Sequence, residues 1–229
     1  INDTVHPMST HESATLAANA LWQDQPADAP KPMAMEQILP FGAGYDFFDR
    51  MGGRIYPNGH SVLGINFSIH SGYAQLPDYE QALAKAHGVE RAAEILQRSP
   101  QNSVCFPSLA LKGSPQAFRV IRPLAADRTL VEAWSLRVEG APEMLFERSL
   151  MYNRLAFSPM SVVAHDDVHL FENMQQGLRG EGNDWISLHR GFDSGELNQG
   201  TLEVNGTNEI LMRNQFRAWV KFMTLSMQE

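Results

Sequence analysis

Strand patterns are grouped in the middle of the chain with helical patterns on both sides, and this arrangement constrains the fold most tightly. Residues 129–138 alternate apolar and polar side chains with a period of two, which is typical of a half-buried strand. Shorter β-like segments cover 60–70, 103–111, 117–122 and 185–192. Because these strands are compatible with antiparallel pairing and are flanked by helices, the sequence predicts an α+β fold in which one sheet wraps a long helix.

The helices are predicted from their ends as well as from their composition. Pro142 opens one of them, since proline is tolerated in the first turn of a helix. Ser158 and Pro159 end that helix, and Gly177 is a typical C-terminal stop for the next one. Helices are expected at 10–22, 78–98, 142–157, from the 165–167 segment to 177, and at 207–227, the last with Met212, Phe216, Trp219, Val220 and Met223 on one stripe.

Two features interrupt these regular patterns. Residues 24–60 are rich in proline and glycine and show little periodicity, which predicts a functional loop or lid. Glu132 falls on the apolar face of the 129–138 strand. Because a buried carboxylate without a partner is costly, we expect Glu132 to be hydrogen-bonded or at a sheet edge.

Composition excludes several classes of protein. The chain carries 26 acidic against 18 basic residues, a net charge of −8, which argues against duplex nucleic acid or an anionic membrane as a partner. No stretch approaches the roughly 18 apolar residues of a membrane span. The single cysteine, Cys105, excludes an internal disulfide framework and fits a reducing compartment, for which we expect the cytoplasm. We predict that Cys105 is a buried apolar residue.

The first residues form a dense polar motif that contains Asp3, His6 and His11. Because a chain seldom begins inside such a motif, we expect a fragment of a longer protein, with 1–229 as one domain. Positions three apart are neighbours on a helix, but positions five apart are not, so His6 and His11 can share an ion only if the helix is distorted. Pro7 favours such a distortion. Ordinary histidines and a metal site both remain open for this pair.

Asp166 and Asp167 form the second polar cluster. Acidic residues at a helix start cap free N–H groups, and this interpretation stays open for both. Two histidines and one carboxylate on one face, however, form the ligand set that suits non-heme Fe(II) and leaves positions open for O₂ and substrate. Zinc binds such a set at least as tightly, so the residues alone do not select the metal.

These two segments resemble the catalytic domain of Rieske-type ring-hydroxylating oxygenase large subunits. The resemblance is carried by residues 2–11 and 157–167 and is most specific there. It also includes 106–109, 119–124, 129–134, Asn208, Glu209, Arg213, Arg217 and Trp219.

The resemblance implies a helix-grip (START-like) fold, an antiparallel sheet around a long C-terminal helix, with a mononuclear Fe(II) site. It implies that His6, His11 and Asp167 ligate the iron. Asp3 matches the aspartate that links an iron-ligating histidine to a Rieske-cluster histidine of a neighbouring subunit. A carboxylate three residues before a ligand histidine is also placed to hold the free N–H of that imidazole. Phe157 and Val163 match positions that line an aromatic-substrate pocket, although plain core packing also accounts for them.

The implied function is hydroxylation of an aromatic ring with O₂, as the terminal oxygenase of a dioxygenase system. Electrons would come from NADH through a reductase, sometimes a ferredoxin, and a Rieske [2Fe-2S] cluster. Such a cluster needs two cysteines, and this chain has only Cys105, so the cluster is expected in a missing upstream domain. The resemblance further implies a homotrimer, with or without a small β subunit.

Two alternatives remain open: a START-like module that binds an apolar or aromatic ligand without redox activity, and a Rieske monooxygenase or demethylase. The sequence does not name a substrate. Arg119, Arg122 and Arg190 have the chemistry to clamp an aromatic carboxylate, but arginines are more often solvated or paired with Asp and Glu, and none is assigned.

Overall fold

The computed structural model describes residues 3–113, 116–180, 182–198 and 200–225. In these residues, helices surround a seven-stranded antiparallel sheet with the order β6-β5-β4-β3-β2-β1-β7. The predicted α+β class is therefore confirmed. The strands are β1 Gly53–Ile55, β2 Ser61–Leu63, β3 Asn102–Cys105, β4 Leu109–Lys112, β5 Ala117–Ala125, β6 Arg128–Ser135 and β7 Leu202–Val204.

The helices lie mainly where their end signals predict them. Helices 142–157 and 165–177 are confirmed to within a residue or two, as is the helix that ends at Trp22. The helices are α1 His6–Thr10, α2 Glu12–Trp22, α3 Met33–Ile38, α4 Tyr45–Arg50, α5 Pro77–His87, α6 Val89–Gln97, α7 Glu143–Phe157, α8 Ala164–Gly177 and α9 Ile210–Leu225. Of these described helices, not one combines the length and the apolar character that a bilayer crossing requires.

Several predicted elements are divided or shortened. The 78–98 helix breaks into α5 and α6 at Gly88, whose φ of 84° is in a region that side chains other than glycine rarely adopt. The 103–111 strand is a hairpin, β3 and β4, around Phe106, Pro107 and Ser108, because a central strand does not accommodate a proline. The 60–70 strand is limited to β2.

The prediction of a long loop over 24–60 is wrong beyond its first third. Residues 33–55 form α3, a 3₁₀ turn, α4 and β1. Phe48 and Met51 from this stretch are 3% and 0% exposed, and they join the main core cluster. Removing these large side chains from water stabilises the short helices that carry them, despite the glycine and proline content.

The predicted strand at 185–192 is also wrong, because α9 binds this segment through its side chains. Arg213 donates to the carbonyls of Leu188 and Arg190, and Glu209 accepts the backbone N–H of Arg190. The backbone groups that would pair with a neighbouring strand are thereby used.

Two predictions about single residues in the sheet have different outcomes. Glu132 lies on the edge strand β6 and accepts a hydrogen bond from Arg122 at 2.7 Å, as predicted. Cys105, predicted to be buried, is exposed. Because side chains alternate along β3, the inward positions go to Asn102 and Val104, and Cys105 points away from the core.

The C-terminal helix α9 packs on β1 and on the turn at Pro57–Gly59. Its buried face is formed by Ile210, Leu211 and Ala218 rather than by the predicted stripe. Phe216 and Trp219 from that stripe are 61% and 54% exposed. Residues 226–227 of the predicted helix lie outside the described part of the chain.

Candidate metal centre

The loop between the first two helices brings two histidines to one place. α1 ends at Thr10 and α2 begins at Glu12, so His11 stands at a break with φ −106° and ψ 14°. This is the distortion that the five-residue spacing requires. The ring centroids of His6 and His11 lie 5.1 Å apart. Thr4, just before α1, donates to the carbonyl of Gly206 at 2.8 Å and holds this segment against the rest of the domain.

The orientation of each imidazole leaves its Nε2 directed at the same carboxylate. Nδ1 of His6 contacts the backbone carbonyl of Asp3, so it carries the proton and Nε2 presents a lone pair. Nε2 of His6 lies 3.8 Å from Oδ1 of Asp167, and Nε2 of His11 lies 3.3 Å from the same oxygen. The main chain of Asp3, and not its carboxylate as expected, therefore orients His6.

Asp166 and Asp167 occupy the first turn of α8, where the positive end of the helix dipole stabilises a carboxylate. The backbone N–H of Ala164 donates to Oγ of Ser161. In the described part of the chain, neither aspartate side chain accepts a hydrogen bond from a backbone N–H. Instead both carboxylates face His11, with Oδ2 of Asp166 at 3.6 Å from Nδ1. Capping by these aspartates is thus not what the geometry shows.

His6, His11 and Asp167 offer three donor atoms that all lie within 4.8 Å of one another. His11 is 1% exposed, and its Nδ1 has no hydrogen-bond partner within the described residues. An ion held among these donors would take Nε2 of each imidazole and the Asp167 carboxylate, the groups that face one another. Two imidazoles and one carboxylate on one side of an ion fit mononuclear non-heme iron.

The protonation states of these groups suit metal binding at neutral pH. Burial lowers the pKa of His6 and outweighs the opposing effects of the Asp3 carbonyl and the Asp167 charge. Burial acts to raise the pKa of Asp167, but the hydrogen bond and charge interactions with His11, together with His6, hold it below its usual value. The site therefore offers a neutral His6 and an ionised carboxylate, the forms in which these side chains coordinate metals.

The two residues predicted to line a substrate pocket both border the core next to the metal centre. Phe157 is the last residue of α7 and lies 5.8 Å, ring to ring, from Tyr152. Val163, 5% exposed, precedes α8 and belongs to the same core cluster. Their role toward a substrate stays a prediction.

The three arginines that the sequence left unassigned differ in their surroundings. Arg122 pairs with Glu132 at the surface, and Arg190 lies 3.7 Å from Asp3 and 3.5 Å from Glu209. Arg119 points inward from β5, and its Cζ lies 4.9 Å from the centre of the Phe157 ring. Arg119 is thus the one of the three that borders the predicted pocket.

Sequence reasoning missed a buried polar group next to Arg119. Lys112 at the end of β4 is 5% exposed, and its Nζ lies 5.2 Å from the centre of the Tyr152 ring. The alternation along β4 signals its direction, because Lys112 follows the fully buried Ala110 by two positions. Burial, together with the charge of Arg119, lowers the pKa of Lys112 well below its ordinary value.

Comparisons with known proteins agree with this geometry. Residues 4–224 match the sequence profile of a family described as ring hydroxylating alpha subunit (catalytic domain). Among curated proteins, none matches the sequence significantly.

The fold is also similar to solved structures. A naphthalene 1,2-dioxygenase from Rhodococcus sp. bound to indole has a TM-score of 0.61 at 17% identity, and the alignment covers 95% of this chain and 50% of the other. A naphthalene 1,2-dioxygenase with indole in its active site gives 0.63 at 19% identity, with 95% and 48% covered. The present chain therefore spans about half the length of these neighbours, and the likeness at this identity concerns the fold.

Proposed function

Because this chain belongs to the family of ring-hydroxylating alpha subunits, as their catalytic domain, we propose that it hydroxylates an aromatic ring with O₂ at an Fe(II) site formed by His6, His11 and Asp167. The observation that carries the proposal is the convergence within 4.8 Å of three donors from α1, from the break before α2 and from α8. A START-like binding module without redox activity gives no reason for two imidazoles and a carboxylate to converge in this way.

In this proposal, the residues around the site orient the two imidazoles and position the substrate. A ferrous ion bound there would supply the activation of O₂. His6 is held by the Asp3 carbonyl, and His11 is fixed between Phe41 and the two aspartates, so both imidazoles keep one orientation. In this proposal, Phe157 and Val163 place the apolar substrate beside the ion and exclude water from it.

The electrons come from outside these residues. We place their source in NADH and a reductase, with or without a ferredoxin, followed by a Rieske [2Fe-2S] cluster close to Asp3. The single cysteine of this chain does not suffice for that cluster. The remaining expectations belong to the same proposal: a catalytic domain of a longer subunit, a trimer with or without a small β subunit, and a cytoplasmic, reducing compartment.

Metal analysis of anaerobically iron-loaded protein tests the proposed site. We expect about one iron per chain in the wild type and a fall in iron affinity of tenfold or more in His6→Ala or Asp167→Ala, because each variant removes one of three ligands. His169→Ala is a matched control on the exposed side of α8 and should keep its iron. Unchanged iron in both ligand variants would rule the proposal out.

Isotope labelling separates the two kinds of oxygenase. With physiological electron donors and ¹⁸O₂, a dioxygenase places both atoms of one O₂ molecule in the product. A monooxygenase or demethylase places only one there. The family match supports ring hydroxylation in general, and we propose dioxygenation because the structural neighbours are dioxygenases.

A further inference from the structure

Two basic side chains share the inner face of the sheet beside the proposed iron site. Ala110 pairs with Arg119 across β4 and β5, and Lys112 pairs with Ala117. Since residues two apart on a strand face the same side, Lys112 and Arg119 are diagonal neighbours on one face. Both point toward the aromatic rings of α7: Lys112 toward Tyr152, Arg119 toward Phe157.

Neither of these basic groups has an acidic partner. Every ion pair within the described ranges involves other basic residues, and Arg119 donates instead to the neutral amide oxygen of Asn102 at 3.0 Å. The acid whose charge acts on Arg119 is Asp167, and a metal ion would take up that charge. A buried amino group is costly to remove from water, so a purely structural interior would favour an apolar residue at position 112.

A surface cleft lies close to this cluster. A cleft of about 220 Å³ between α3, α7 and the turn at 69–73 ends at His70. The ring of His70 lies 5.1 Å from that of Tyr152, the ring over which Lys112 stands. The rings of His70 and Tyr152 therefore link this cleft to Lys112.

We propose that Lys112 and Arg119 select an aromatic substrate with a carboxylate group, to whose oxygens they donate hydrogen bonds while the ring lies against Phe157 and Tyr152. The guanidinium of Arg119 lies over the Phe157 ring and donates to Asn102, and its planar group of N–H donors suits a planar carboxylate. Lys112 adds a second donor from the adjacent strand. The inference rests on the proposed function, since it names the substrate class of the same site.

Equilibrium binding of 2-naphthoate and of its neutral isostere 2-naphthamide tests this inference. Titration calorimetry is done on the protein with and without iron, so that binding is read independently of turnover. We expect the wild type to bind the carboxylate at least about tenfold more tightly than the amide, and Lys112→Met to lose that preference. Arg119→Gln should weaken carboxylate binding and leave amide binding nearly unchanged.

Lys112→Met has the advantage that it replaces a costly buried group by an apolar one of similar length, so its Tm should match or exceed that of the wild type. Lys85→Met, on the exposed face of α5, is the control and should bind both ligands as the wild type does. Equal affinity for the two ligands in the wild type would overturn the inference. So would carboxylate binding that is lost in Arg148→Met, at the cleft mouth, and kept in Lys112→Met.

The proposed iron site and the proposed substrate class can be contradicted independently of each other. If the ligand variants His6→Ala and Asp167→Ala keep their iron while the metal-free protein still prefers the carboxylate, the proposed oxygenase is wrong and the anion pocket stands. If the iron depends on these ligands but Lys112→Met keeps the carboxylate preference, the oxygenase stands and the assigned substrate class is wrong.

Discussion

Asp3 contacts His6 through its main chain, while its carboxylate accepts from the N–H of Val5 at 2.9 Å and faces Arg190. A substitution that changes only the side chain therefore leaves the orientation of His6 intact. This separates two roles that the spacing alone could not separate, namely holding the imidazole and bridging to an electron donor.

We expect Asp3→Asn to keep its iron and to lose most of its coupled turnover. The asparagine oxygen can still accept from Val5, but the negative charge proposed to bridge toward the Rieske cluster is gone. The measurement is iron content together with product formed per reductant consumed, with Asp24→Asn on the exposed surface as control. Normal turnover in Asp3→Asn would contradict the bridging role, and loss of iron would contradict the main-chain contact.

At the scale of elements, the segment before β7 is held to α9 by a buried ion cluster. Glu196 accepts from Nε and Nη2 of Arg213 at 2.8 and 2.7 Å and from Arg217 at 2.7 Å. Burial acts to raise the pKa of Glu196, but these two arginines outweigh it and hold the pKa below its usual value. A lowered pKa means that the stabilisation is present above the unfolded-state value and is lost as the pH falls through the folded-state value.

We therefore expect the free energy of unfolding to fall as the pH drops below about 4.5, and this dependence to be weaker in Glu196→Gln. At pH 7 the variant should lose about 2 to 3 kcal/mol, because both arginines are left without their acid. Urea unfolding over a range of pH measures both effects. Glu203→Gln, which breaks the exposed pair with Arg54, should cost less than about 1 kcal/mol. An equal pH dependence in wild type and Glu196→Gln would contradict this assignment.

The contacts made by Arg213 also show why some elements could be predicted from the sequence and others could not. Helices α7 and α8 have their own signals, a proline at one start and a glycine at one end, and these act locally. The 185–192 segment has the composition of a strand, but Arg213 and Glu209, far along the chain, decide its hydrogen bonding. Long-range contacts of this kind leave no local pattern in the segment that they shape.

At the scale of the whole molecule, the family resemblance predicted the ligand set His6, His11 and Asp167, and the fold brings these three residues together. Nothing in the local sequence says that α8 approaches α1, or that Arg119 rather than Arg122 or Arg190 points to the interior. The lysine at position 112 was missed because β4 is too short for its alternation to be evident.

The proposed metal centre also joins distant parts of the chain, since His11 lies between the first two helices and Asp167 in α8. Such a site does not exist in the unfolded chain, so metal binding stabilises only the folded state. At a free Fe(II) concentration of 100 times the dissociation constant, the gain is about 2.7 kcal/mol. For a domain of this size that corresponds to a rise in Tm of about 5 to 10 °C.

Anaerobic thermal unfolding with and without Fe(II) measures this rise. We expect it in the wild type and in the control His169→Ala, and we expect a chelator to reverse it. His11→Ala and Asp167→Ala each remove the contribution of one side of the site, so neither should respond to iron at the same concentration. A rise of equal size in Asp167→Ala would mean that iron binds elsewhere, and the link between the two ends of the domain would then not pass through this aspartate.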